Sequence, residues 1–142
     1  MTSVANAQET DNFLLLDLDN VRRGSGNVKP GWAMGDFYPL DDLRYTKEFE
    51  IKEWDVSTIQ TLWRNHADVN SEYIAVYCGV LTVIFGYVDS KSGEIIPNCT
   101  INVGKCQRIV IKTGVWRKFC GSDDVQGISI RKSPERLTHE NT

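Results

Sequence analysis

A chain of 142 residues suits one domain around one core, and 41% hydrophobic with 25% charged residues is ordinary for a globular protein. The formal net charge of −3 leaves no broad basic surface, which argues against nucleic acid or anionic lipid as partners. No apolar run approaches the roughly 20 residues needed to span a bilayer, and the opening MTSVANAQETDNF lacks a basic-then-apolar leader pattern, so the expected setting is cytoplasmic.

Residues 1–11 are small and polar and read as a disordered lead-in. NFLLLDLDNV, from Asn12, is an apolar run broken by aspartates, either a short strand or one helical turn. RRGSGNVKPGWAMGDFYP follows, with four glycines and two prolines, and reads as irregular chain. Its Trp32, Met34 and Phe37 imply that it packs onto something, so residues 12–47 are expected to form an N-terminal arm. From residue 48 the pattern changes. EFEIKEW alternates with period two, as a half-buried strand does. SEYIAVYCG and VLTVIFGYVD are rich in β-branched and aromatic residues and read as two strands joined at Gly79. DSKSGE is a turn, and IIPNCTINV, QRIVIK, VWRKFC and VQGISIRK are four more strand-like runs. Short strands at regular spacing without a convincing amphipathic helix predict an all-β sandwich or barrel over residues 48–131, with a polar tail at 132–142.

The cysteines, Cys78, Cys99, Cys106 and Cys120, have no CxxC spacing, which argues against a zinc ribbon. Cys78 and Cys120 lie in apolar runs and are expected to be small buried hydrophobes.

The stretch RNHADVNSEYIAVYCGVL, residues 64–81, carries the chemistry. Along a strand, residues i and i+2 share a face, so His66 and Asp68 can present an imidazole and a carboxylate to one point. Glu72 opens the next strand and can bend back to it. One imidazole and two carboxylates suit Fe, Mn, Ni or Zn.

This stretch resembles the first motif of the cupins, which reads His-x-His, three or four residues, Glu, six residues, Gly. Here it reads His66, Ala67, Asp68, then VNS, Glu72, then YIAVYC, then Gly79; Asp68 stands where the second histidine belongs, and Gln60 where an opening glycine would. GKCQRIVIKTGVWRKF is similar to the second motif. Gly104 opens it, Lys112 replaces the proline, Gly114 matches the glycine, and Arg117 stands at the final metal-binding histidine. The resemblance covers about residues 60–120 and implies a single-domain cupin-type jelly-roll β-barrel (a double-stranded β-helix) with the arm folded over it. It also implies a homodimer.

The departures shape the chemistry. Arg117 keeps its charge and has no lone pair, so it cannot ligate. The expected state is metal-free, with Arg117 paired to Asp68 or Glu72 and the barrel binding a small polar or anionic molecule such as a sugar or carboxylate. Arg117, Glu72 and Asp68 are then ligand-binding groups, and Trp63 and Tyr77 are candidate stacking surfaces, although aromatics in a small barrel are ordinarily core. Two alternatives stay open. His66, Asp68 and Glu72 hold a divalent transition metal in a dioxygenase or lyase, or His66 acts as catalytic base in a sugar isomerase or epimerase. A third reading makes the barrel an assembly module only. His66-x-Asp68 also begins the triad of 2-oxoglutarate-dependent oxygenases, but the remaining histidine, His139, lies in the polar tail.

Overall fold

The computed structural model describes residues 7–24, 28–65 and 71–133. The arm comes first. β1 (Ala7–Glu9) pairs antiparallel with β2 (Leu14–Leu16), so part of the lead-in expected to be disordered is a strand. The run NFLLLDLDNV resolves into both readings in succession, β2 and then the short helix α1 (Leu18–Arg23). Asp17 accepts a hydrogen bond from the Asp19 amide at 3.2 Å and caps the helix start, while Arg22 and Arg23 sit at the negative end of its dipole. Arg22 also ties the arm to the barrel, donating to Gln126 at 3.2 Å and approaching Asp55 at 3.8 Å.

The barrel consists of β3 (Trp32–Met34), β4 (Phe49–Asp55), β5 (Glu72–Cys78), β6 (Leu81–Val88), β7 (Ile95–Val103), β8 (Arg108–Ile111), β9 (Trp116–Gly121) and β10 (Gln126–Lys132). One sheet has the order β3-β4-β10-β5-β8 and the other β7-β6-β9, all antiparallel. Residues 60–64 run beside β9 as a further strand-like segment. The Arg64 amide donates to the Arg117 carbonyl at 2.8 Å, the Arg117 amide returns the bond at 2.9 Å, and the Phe119 amide donates to Gln60 at 3.0 Å.

Counted from β4 with that segment as second, the first sheet holds strands one, eight, three and six, with β3 added at its edge. The second holds five, four, seven and two. This interleaving is a jelly roll. The core lies between the sheets, where Ile74, Val76, Leu81, Val83, Ile111 and Val125 are almost wholly excluded from water. No described helix is long and apolar enough to cross a membrane. Cys120 was expected inside, yet it is exposed: in β9 it alternates with Phe119 and Gly121, and Phe119 takes the core side.

Candidate functional site

Alternation and register together build the site. On β4 the inward residues are Glu50, Lys52 and Trp54; on β10 they are Gly127, Ser129 and Arg131; on β5 they are Glu72, Ile74 and Val76. The strand pairing stacks them in rows. Arg131 lies opposite Glu50 on one side and Glu72 on the other; Ser129 lies between Lys52 and Ile74; Gly127 lies between Trp54 and Val76. The barrel interior therefore grades from a charged row through a mixed row to an apolar floor. A cavity of about 470 Å³ opens over these rows, closed on the far side by Phe119, Leu81 and the 57–64 segment.

The charges are matched unevenly. Arg131 Nε donates to Glu50 Oε1 at 2.9 Å. Arg117, which is 1% exposed, donates from Nη2 to Glu72 Oε1 at 3.0 Å and from Nη1 to the Val115 carbonyl at 3.0 Å. Its buried Nε–H has no acceptor among the described residues. Lys52 Nζ donates to the Thr58 carbonyl at 2.8 Å and stands 5.8 Å from the centre of the Trp32 ring. Burial lowers the pKa of Lys52, nearby Arg131 and Arg64 lower it further, and Glu72 offsets them in part. Among the described residues no carboxylate forms an ion pair with Lys52 or Arg64, so the described lining of the cavity carries surplus positive charge.

The sequence matches no protein-family model, and no curated protein matches it. Solved structures do match. A hydroquinone 1,2-dioxygenase in complex with Cd2+ and 4-hydroxybenzonitrile is 14% identical, with a TM-score of 0.49 over 84% of this chain and 86% of that one. A cupin-2 domain protein from Shewanella frigidimarina is 18% identical, with a TM-score of 0.43 over 70% and 76% of the two chains. A dTDP sugar isomerase from Desulfovibrio desulfuricans is 19% identical, with a TM-score of 0.43 over 84% and 77%. At such identities and TM-scores the likeness carries no assignment of its own, and the fold is read from the interleaved strand order. The fold is a jelly-roll barrel.

Of the first motif read in the sequence, Glu72 and Gly79 lie within the described residues. Glu72 points into the barrel, and Gly79 turns β5 into β6 at φ +71°, where a Cβ would come within 2.5 Å of Ser122 Oγ and 2.6 Å of Asp124 Oδ1. His66 and Asp68 lie outside the described residues, as does His139. From the second motif, Arg117 faces inward and meets Glu72, the pairing that the substitution at that position leads one to expect.

Of the three candidate metal ligands, only Glu72 lies within the described residues. One oxygen of Glu72 is committed to a guanidinium that cannot ligate, and the orphaned Nε–H of Arg117 calls for an acceptor rather than a cation. Among the described residues no three His, Cys, Asp or Glu side chains gather into a metal site.

The remaining sequence candidates separate. Arg117 stands behind Glu72 rather than in the open cavity, so it positions a carboxylate instead of meeting an anion itself. Trp63 lies on the outer face of the second sheet, its ring against Gly86 and 4.8 Å from Lys118 Nζ. Tyr77 is 52% exposed on the outer face of β5, opposite Glu72. Neither lines the cavity. The aromatic walls come instead from Trp32, Trp54 and Phe119. Lys52, Arg64 and Arg131 were missed by the sequence reading. The available signal was the register of EFEIKEW: once Trp54 points inward, Lys52 and Glu50 must follow.

Proposed function

We propose that this cupin barrel binds a small anionic molecule, a carboxylate or an acidic sugar, without a resident metal. The supporting observation is the surplus of positive charge from Lys52 and Arg64 in a cavity walled by aromatic rings. A carboxylate there would gain charge-assisted hydrogen bonds, and a flat or ring-shaped body would lie against Trp32 and Trp54. Ser129 adds a hydroxyl, which now accepts from Trp54 Nε1 at 2.9 Å and retains a proton to donate. Glu72, fixed by Arg117, offers its second oxygen as an acceptor for a ligand hydroxyl.

The test is calorimetric titration with a panel of carboxylates, sugar acids and neutral sugars. Saturable binding of an anionic member is expected, weakened in both Lys52→Met and Arg64→Ala. Binding restricted to neutral sugars, or unchanged in both variants, would overturn the reading.

A further inference from the structure

The cavity holds a nucleophile that anion binding alone does not require. Lys52 is the one lysine on the inward face of β4, and its amine is held at a fixed place by the Thr58 carbonyl at 2.8 Å. The groups facing it are Glu72 from β5, Arg131 from β10 and Arg64 from the segment beside β9; Glu50, next inward on its own strand, is paired with Arg131. Cations thus outnumber free carboxylates around this amine. That arrangement, together with burial, lowers the pKa of this amine, so that its lone pair is released for attack on a carbonyl carbon more readily than on an exposed lysine. The same cations would hold an anionic group beside the carbonyl.

We propose that Lys52 condenses with a small carbonyl compound bearing a carboxylate, a 2-oxo acid or an aldehyde acid, to form an imine in the cavity. The proposal rests on the cavity being an anion site, as argued above. In the addition step, the Nζ lone pair forms a C–N bond to the carbonyl carbon. The C=O π pair moves to oxygen, which gains a proton as nitrogen loses one. In the elimination step, the hydroxyl leaves as water after taking a second proton, the nitrogen lone pair closes the C=N bond, and nitrogen releases its remaining proton, which replaces the one taken. The sum is amine plus carbonyl giving imine plus water, and no oxidant or reductant is consumed. Arg64 and Arg131 orient the carboxylate, and the Thr58 carbonyl holds the amine toward the cavity.

The experiment uses the intact protein, limiting glyoxylate and sodium cyanoborohydride, with peptide mapping by mass spectrometry. The expected result is one carboxymethyl group, found on Lys52 ahead of exposed Lys29, Lys105 and Lys112. Its yield should persist to lower pH than at those lysines, and Lys52→Arg should lose it while circular dichroism stays unchanged. Glycolate, which has the carboxylate but no carbonyl, should protect Lys52. Labelling spread evenly over the surface lysines, or labelling concentrated on Lys29, would overturn the proposal. Calorimetric binding of glycolate that is weakened in Arg64→Ala, with no adduct on Lys52, would overturn the imine and leave the anion site standing. No calorimetric binding of glycolate and no adduct would remove both.

Discussion

The Arg117–Glu72 pair concentrates the cost of this site in two side chains. Both are nearly removed from water, at 1% and 10% side-chain exposure, so each depends on the other for its charge. Replacing Glu72 by Gln strands a buried guanidinium, and the expected loss is about 3 kcal/mol in urea unfolding. Replacing both residues by Met should recover most of it, because neither charge is then left unpaired. A different ion pair contributes to acid behaviour. Asp42 takes a two-pronged grip from Arg44, at 2.9 Å from Nε and 2.8 Å from Nη2, which holds its carboxyl down at about 2 from the usual 3.8. A depressed carboxylate stabilises the fold fully above its unfolded value and loses that contribution as protons bind. The stability supplied by Asp42 should therefore fade as pH falls from about 3.8 toward about 2, and Asp42→Asn should flatten the urea midpoint over that window relative to the parent.

At the scale of the strand, Gly127 decides whether the cavity has a floor. A Cβ there would lie 2.5 Å from both the Ala75 carbonyl and the Trp54 ring, so the indole lies directly on the β10 backbone. Gly127→Ala must push that ring toward the cavity or part β10 from β5, with an expected loss of roughly 1–3 kcal/mol in thermal unfolding. The strands themselves were legible in the sequence, because β-branched and aromatic runs punctuated by glycine follow from backbone sterics alone. The facing of β4 was harder to read. Phe49 and Ile51 look like the inner set of a half-buried strand, yet Glu50, Lys52 and Trp54 line the cavity. A binding site reverses the usual rule by turning polar residues inward, so sequence alternation gives the period of such a strand but not its polarity. The same ambiguity placed Trp63 and Tyr77 near the ligand, since sequence neighbours of an inward residue point outward.

Across the whole molecule, the jelly roll was legible because two short motifs fix where the chain turns, and Gly79 and Gly114 do take the positive φ that those turns demand. The arm was legible only in outline. The contacts that seat it, Arg22 on Gln126 and Asp55, join residues far apart in the chain, and nothing local announces them. The arm also completes the cavity, since Trp32 on β3 supplies its outer aromatic wall. Two of the four tryptophans, Trp32 and Trp54, therefore border the cavity, while Trp63 lies outside the barrel. Lys52 Nζ stands 5.8 Å and the Arg131 guanidinium 5.2 Å from the Trp32 ring. Excluding water from these two indoles should shift their emission toward the blue, and an anion that draws the neighbouring cations away should change its intensity as well. Occupancy can then be followed by intrinsic fluorescence without a label. The shift should shrink in Trp32→Phe and survive in Trp63→Phe; loss of the signal in Trp63→Phe alone would place the ligand on the outside of the barrel.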